Sequence, residues 1–136
     1  MDGWLWSALA ALMLYGLWGI FPKIAVSYIS PQSALLYQIG GAMLVGIVAL
    51  AQPGFRLESH PRGILFAVLT GIAGMTGTLF YLHAARHGKI SVVVTLTALY
   101  PLLTILLATL VLKEPLTVKQ LCGMGLALVA IVLVAG

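Results

Sequence analysis

Charged residues are scarce in this chain. Aspartate, glutamate, lysine and arginine make up 7% of its 136 residues, and only three of them are acidic. Soluble domains carry a charge at about a quarter of their positions, because a fold in water needs polar side chains over its surface. With 62% of its residues hydrophobic, the chain lacks that cover. This excludes an ordinary soluble enzyme, a nucleic-acid-binding domain and a disordered tail, and leaves a polytopic membrane protein.

The sequence also lacks the usual signs of metal, redox or nucleic-acid chemistry. Cys122 is the single cysteine, which excludes an intramolecular disulfide and a cysteine-based metal site. His83 and His87 share a helix face, but zinc needs about four ligands and the neighbouring Arg86 and Lys89 oppose a cation. The basic residues are scattered singly, and no nucleophile–base pair or phosphate-binding loop is present. We therefore expect no metal, no cofactor, no nucleic-acid partner and no enzymatic activity.

Long apolar runs are abundant instead. A helix that crosses a bilayer needs about 20 mostly apolar residues, and the alternation with period two that would indicate strands is absent. Backbone groups in lipid must be hydrogen-bonded within the protein, which favours helices. Five windows are long enough: 3–22, with a continuation to residue 29 left open, 32–52, 63–82, 90–112 and 118–136. The sequence predicts an all-α, five-helix transmembrane bundle in a single domain, residues 1–136.

Lysine and arginine between the windows give little indication of orientation. One face of the membrane collects Arg56, Arg62, Lys113 and Lys119, and the other collects Lys23, Arg86 and Lys89. The side with more positive charge normally faces the cytoplasm, so an excess of one favours a cytoplasmic N-terminus only weakly. Insertion of the chain in both directions is therefore left open.

Short motifs occur along the chain in a recognisable order. They are LWGIFPK at 17–23, AARHGKISVVV at 84–94, ALYP at 98–101, LKEPL at 112–116 and QLCG at 120–123. In this order and spacing they resemble the EamA-type repeat of the drug/metabolite transporter superfamily. The resemblance covers essentially the whole chain. It implies transport of a small metabolite or drug-like solute.

The chain departs from that superfamily in two ways. Most members resemble two five-helix repeats fused in inverted orientation, whereas this chain carries one and would be half of a ten-helix inverted-repeat transporter. Because transporter sites lie between repeats, we expect a homodimer, antiparallel if the chain inserts both ways, or a second membrane subunit. The family often has an arginine in helix two, and the corresponding stretch of this chain, 35–41, has Gln38 as its only strongly polar group. The resemblance therefore does not name the solute.

Five side chains are candidates for contact with a solute, and each has a structural alternative. Gln38 would hydrogen-bond either a solute or a neighbouring helix. Lys23 would contact an anionic solute or reach the membrane surface. A kink would aim Tyr100 and Thr97 into a cavity, or serve packing alone. Trp18 would line a cavity or pack in the interior.

Proline and glycine mark candidate hinge and packing positions. Pro101 lies within the fourth window, where a proline removes a backbone hydrogen bond and kinks a helix. Pro101 would be either a hinge or a structural kink whose free backbone carbonyl is hydrogen-bonded by neighbouring residues. Gly71, Gly74 and Gly77 lie in the third window, and small residues let helices approach closely. They indicate packing within the protomer or, alternatively, room for a solute beside exposed backbone.

These observations together predict a multi-pass protein of the inner membrane. It would transport a small solute as an oligomer, with the path between protomers. A non-transporting partner of a larger membrane complex is the alternative from another class, and a flippase subunit for a lipid-linked substrate is a third. No acidic residue lies in the middle of a span, which disfavours a proton-coupled exporter of cations. The sequence defines neither the solute, the direction, the coupling ion nor the oligomeric state.

Overall fold

A computed structural model describes residues 3–113 and 115–135. These residues are mostly helical, and no strand occurs among them, which confirms the all-α prediction. They divide into two compact units, one ending at His87 and the other beginning at Gly88.

The first unit contains three long apolar helices that pack against one another. Helix α1 spans Gly3–Tyr28, α2 spans Pro31–Leu50 and α3 spans Pro61–His87. Helix α2 begins sharply, because the Ser30 hydroxyl accepts a hydrogen bond from the Ser33 N–H at 3.2 Å and Pro31 occupies the first turn. After α2 the chain turns at Gly54, whose φ of 80° suits a residue without a Cβ.

Two of these helices are longer than the predicted windows. Helix α1 continues through Pro22 to Tyr28, the extension that the sequence left open. Helix α3 ends at His87, so Arg86 and His87 lie in its last turn and not in a loop. Its 27 residues give a length of about 40 Å at 1.5 Å per residue, against about 30 Å for the hydrocarbon core. The charged last turn of α3 therefore extends beyond the core.

The fourth predicted span, Ile90–Leu112, is one apolar stretch but not one regular helix. It consists of helix α4, Ile90–Thr97, helix α5, Tyr100–Leu107, and a π-helical segment, Ala108–Leu112. The backbone N–H of Lys113 donates to the Ala108 carbonyl, and Lys113 itself adopts φ 56°, a left-handed conformation that ends the stretch. Glu114, which the sequence places in the following hairpin, lies outside the described residues.

The last helix of the second unit, α6, spans Val118–Ala135 and packs against α4. It begins with a reciprocal cap: the Thr117 N–H donates to Gln120 Oε1 at 2.8 Å, and the Gln120 N–H donates to Thr117 Oγ1 at 3.3 Å. Its apolar part, Val118–Leu133, is shorter than the four other stretches, each of which is long and apolar enough to cross a membrane. The described residues thus contain five helical stretches, as expected of an all-α membrane protein.

Buried residues of the first unit concentrate where α1 ends, α2 begins and α3 ends. They are Pro22, Val26, Pro31, Ala34, Thr78, Tyr81, Leu82 and Ala85. Most other positions of the three helices are exposed. The packed end of the first unit is therefore the part that can hold side chains in a fixed geometry.

Candidate solute-binding site

Helix α1 is held to α3 at the point where proline interrupts its hydrogen bonding. Pro22 is buried and has no N–H, so the Trp18 carbonyl, one turn earlier, loses its usual donor. The Tyr81 hydroxyl of α3 donates to the adjacent Gly19 carbonyl at 2.8 Å. The rings of Trp18 and Tyr81 also lie 5.0 Å apart between centroids, within the range of favourable aromatic pairs. These contacts fix Trp18 relative to α3.

In a second hydrogen bond between the same helices, α1 provides the donor and α3 provides the acceptor. The Lys23 ammonium of α1 donates to the Ala85 carbonyl of α3 at 2.7 Å. Ala85 lies in the last turn of α3, where carbonyls lack intrahelical donors and a cation is favoured by the helix dipole. The candidate residue Lys23 is half-buried and acts here as a cap for α3.

Trp18 and Gln38, two of the predicted site residues, line one cavity within the first unit. The cavity has a volume of about 280 Å³ and is open on one side. Its walls come from all three helices: Trp18, Phe21, Pro22, Ala25, Ile29, Ala34, Tyr37, Gln38 and Leu82. No charged side chain is among these lining residues. The cavity is therefore an apolar space with three aromatic rings and a single carboxamide.

The carboxamide of Gln38 has no partner within the part of the chain that the structure describes. The side chain is half-buried, and none of residues 3–113 or 115–135 hydrogen-bonds to it. An amide in an apolar environment costs free energy unless its donor and acceptor are paired, and it offers two donors and one acceptor oxygen. Gln38 thus lines an apolar cavity and has a carboxamide that no described residue uses.

The second unit holds Thr97, Tyr100 and Pro101 at the break between α4 and α5. The backbone there tightens instead of unwinding: the Leu99 N–H donates to the Leu96 carbonyl at 3.2 Å, and the Leu102 N–H to the Leu99 carbonyl at 3.0 Å. The Thr97 hydroxyl lies 2.9 Å and 3.0 Å from the Val93 and Val94 carbonyls of its own helix.

Tyr100 and Thr97 are both exposed, and neither is among the residues that line the cavity beside Pro101 or the groove beside Val129.

A cavity of about 530 Å³ lies within the second unit, and Pro101 is part of its wall. Two polar side chains reach it, Thr109 and Gln120. The Thr109 hydroxyl donates to the Ile105 carbonyl at 2.9 Å, and Gln120 is engaged in the cap of α6. The Thr109 hydroxyl and the Gln120 Oε1 are therefore engaged within local structure. The second unit offers a larger space, whose wall carries more polar surface than the cavity around Gln38.

The three glycines of α3 that the sequence marked as candidate packing positions, Gly71, Gly74 and Gly77, are exposed. A Cβ built on Gly71, Gly74 or Gly77 would meet nothing within 4 Å in the first unit. All three lie outside the cavity around Gln38. No helix of the first unit therefore packs closely against these glycines, and any close packing at them involves a partner outside that unit.

Tyr81 is a residue of this site that the sequence did not single out, together with Phe21, Tyr37 and Leu82. The sequence signal for Tyr81 is a hydroxyl-bearing aromatic side chain in the middle of an apolar span, because a buried Tyr hydroxyl usually has a hydrogen-bond partner.

His83 and His87, the two residues considered as metal ligands, have rings 5.7 Å apart, and His87 Nδ1 lies 2.9 Å from the His83 carbonyl. Among the described residues no group of three His, Cys, Asp or Glu side chains gathers.

The long apolar helices and the proline break within one of them define a multi-pass α-helical membrane protein. The profile of the EamA-like transporter family matches residues 2–136. The chain belongs to this family, which confirms the resemblance found in the motifs.

Relatives of known sequence include chains of two sizes. MJ1333.1 of Methanocaldococcus jannaschii is 27% identical over 135 residues, 99% of this chain and 98% of that protein. The transporter YyaM of Bacillus subtilis is 28% identical over 115 residues, 82% of this chain and 37% of YyaM. A transporter of Helicobacter pylori J99 is 26% identical over 131 residues, 93% of this chain and 43% of that protein. This chain spans less than half of the two bacterial relatives. No solved structure matches it significantly.

Proposed function

We propose that the protein transports a small solute across the inner membrane and that the cavity around Gln38 is part of its binding site. The observation that carries this proposal is Gln38, a residue of an apolar cavity wall whose carboxamide has no partner among the described residues. Polar groups within membrane segments are costly and usually mark a path for a solute or a contact between helices. A structural partner of a larger complex predicts instead that these residues are tightly packed.

We further propose that the protein works as an oligomer with the path between protomers. Two transporters to which it is similar are more than twice as long as the part it matches, whereas MJ1333.1 is matched almost end to end. A single repeat can gain its second half by association, and homodimers are the commonest assemblies. The exposed Gly71, Gly74 and Gly77 would let a helix of another protomer approach α3 closely.

The function is tested by solute flux in liposomes that contain the purified protein. Four aromatic solutes represent the charge classes: adenine is uncharged, orotate anionic, ethidium cationic and phenylalanine zwitterionic. We expect saturable uptake of at least one solute above protein-free liposomes, reduced by Gln38→Ala. The control Gln32→Ala changes an exposed glutamine of the same helix, α2, outside the cavity, and should leave uptake unchanged. Absence of saturable uptake for all four would contradict transport and favour a partner of a larger complex.

The orientation of the protomers is tested by reporters fused to the C-terminus, one active only in the cytoplasm and one only outside it. Signal from both reporters would support insertion in both directions and an antiparallel homodimer. Signal only from the external reporter would fix the N-terminus in the cytoplasm. It would contradict the antiparallel dimer and leave a parallel dimer or a second membrane subunit.

A further inference from the structure

We infer that an anionic phospholipid binds to the first unit, with an acyl chain in the outer part of the cavity around Gln38 and its phosphate beside Arg86. This outer part, which we call the outer groove, is lined by Phe21, Ala25, Ile29, Ala34 and Leu82. The inference goes beyond the proposed transport, because the lipid is held by the protein and is not the transported solute. The inner end of the cavity, at Trp18 and Gln38, is left to the solute.

The outer groove runs along α1 from the membrane surface towards the middle of the bilayer. Phe21, Ala25 and Ile29 are four residues apart and share one face of the helix, which the hydrogen bond from the Ile29 N–H to the Ala25 carbonyl extends by one residue. Exposed tyrosines such as Tyr28, at the end of α1, are typical of the membrane surface. At 1.5 Å per residue the groove is about 12 Å long, and one leaflet of the hydrocarbon core is about 15 Å deep. Its direction and length therefore match those of a lipid chain in one leaflet.

The width of the cavity fits one hydrocarbon chain and is too small for a helix. From Trp18 to Ile29 the cavity extends about 16 Å along α1. Its volume of about 280 Å³ over that length corresponds to a cross-section of about 17 Å² and a width of roughly 4–5 Å. Carbon atoms in contact lie about 3.5–4.0 Å apart, whereas a helix with its side chains is about 10–12 Å across. A single acyl chain therefore fits this space, and a helix of a second copy does not.

The outer groove also has the surface that an acyl chain requires. Its wall has almost no polar surface, and it is open on one side. Ala34 and Leu82 are buried at its floor, whereas Phe21 of α1 and the neighbouring Tyr37 of α2 are more than half exposed. An acyl chain needs no hydrogen bond and gains dispersion contacts with each carbon of such a wall. In the groove it contacts three helices at once, whereas on a plain helix face it would contact one.

Positive charge marks the surface end of the outer groove. Arg86 follows Leu82 by four residues, so it lies on the same face of α3, one turn nearer the helix end that extends beyond the hydrocarbon core. Arg86 is exposed, and a guanidinium binds a phosphate through two parallel hydrogen bonds. Among residues 3–87 the one acidic side chain, Glu58, lies between α2 and α3, at their other ends. An anionic headgroup beside Arg86 therefore meets no carboxylate from this part of the chain.

The other polar groups at this end of the first unit are compatible with an anion. The carbonyl end of α3 would repel a phosphate through the helix dipole, but the Lys23 ammonium lies on the Ala85 carbonyl there at 2.7 Å. His83 and His87, exposed on the last two turns of α3, add no negative charge. The charge at the groove end and the apolar groove itself thus indicate the two parts of one ligand, an anionic phospholipid.

The test measures how strongly lipids with brominated acyl chains quench the fluorescence of Trp18, with the full chain in phosphatidylcholine vesicles. Trp4 and Trp6, near the start of α1, are replaced by phenylalanine so that Trp18 is the single tryptophan. Brominated phosphatidylglycerol, which is anionic, is compared with brominated phosphatidylcholine, which is zwitterionic, at equal mole fractions. We expect the anionic lipid to bind about fivefold more strongly, the factor that one basic side chain near a membrane surface provides.

Two variants with matched controls separate the charge from the groove. Arg86→Gln should abolish the preference for the anionic lipid, whereas Arg62→Gln, an exposed position at the other end of α3, should change it less than about twofold. Ala25→Phe fills the outer groove and should also abolish the preference, whereas Ala8→Phe, at an exposed position of α1 outside the cavity, should retain it. Ala25→Leu repeats the test if the phenylalanine variant does not fold.

Three results would overturn the inference. Equal quenching by the two lipids in the unsubstituted groove would show ordinary contact with the bilayer only. A preference that survives Ala25→Phe would show attraction to surface charge without a chain in the groove. Absence of quenching by either lipid would show that protein, such as a second copy, covers the cavity. Solute uptake is measured separately, so its absence would contradict the proposed function and leave the lipid site unaffected.

Discussion

The two spans that proline interrupts, Gly3–Tyr28 and Ile90–Leu112, accommodate the interruption in different ways. Pro22 is buried, α1 remains helical through it, and the Tyr81 hydroxyl of another helix reaches the carbonyl of Gly19. Pro101 is exposed, the helix tightens before it, and the hydroxyl of Thr97 at the break bonds within its own helix. A break supported by another helix is fixed, and a break satisfied locally is free to bend.

This difference assigns separate tasks to the two spans. The supported break at Pro22 lies in the wall of the cavity around Gln38 and holds Trp18 in position, as binding requires. The locally satisfied break at Pro101 is followed by a π-helical segment, a feature that often accompanies functional sites. We therefore expect α1 to provide a rigid binding wall and Ile90–Leu112 to supply the movement of transport.

The largest expected effect comes from removing the side chain that fills the space beside Pro22. Leu82 is 1% exposed, so Leu82→Ala leaves an unfilled volume and should lower the free energy of unfolding by about 2–5 kcal/mol. Leu103→Ala is the matched control in the other span, where the side chain is 59% exposed, and should change it by about 0.5 kcal/mol or less. Denaturant titration in detergent micelles measures both. Equal losses in the two variants would contradict a difference in support between the spans.

Lys23 comes next, because its hydrogen bond carries a charge. Lys23→Met retains the aliphatic stem, removes the donor to the Ala85 carbonyl and should cost about 1.5–3 kcal/mol of unfolding free energy. Lys89→Met is the control, since Lys89 is exposed and its side chain forms no cap at the start of α4. The same titration compares the two variants. A loss at Lys89 as large as that at Lys23 would show that the charge itself matters and not the contact with α3.

Much of this fold could be predicted from the sequence, because the length of an apolar run and the need for internal hydrogen bonds in lipid together dictate helices. The end of α3 differs from the predicted window, 63–82, because the window stops before the charged residue Arg86, whereas a long helix can carry charges beyond the hydrocarbon core. The sequence predicts Gln38 and Trp18 as separate candidates. It does not predict that they line one cavity, because helices that are apolar on all sides carry no stripe to mark the packed face.

Hydrogen exchange compares the two breaks without any substitution. If the break at Pro101 opens more readily, the backbone amides of residues 98–102 should exchange at least about tenfold faster than those of residues 19–26, a difference of about 1.4 kcal/mol in opening free energy. Mass spectrometry of the protein in nanodiscs provides the measurement, with the uninterrupted helix α2 as the internal reference for protection by lipid. Equal exchange at both breaks would contradict a hinge at Pro101.

The smallest expected effect isolates the hydroxyl that supports the break at Pro22. Tyr81→Phe removes only the donor to the Gly19 carbonyl, and hydrogen bonds between membrane helices contribute about 0.6 kcal/mol on average and up to about 1.7. Tyr100→Phe is the counterpart at the other break, where the side chain is 64% exposed and hydroxyl loss should leave stability unchanged. Tyr81→Phe should also speed exchange of residues 19–26 towards that of residues 98–102. If stability falls while exchange at residues 19–26 is unaltered, the hydroxyl stabilises the bundle without fixing the break, and the rigidity of α1 must come from the packing of Pro22 and Leu82.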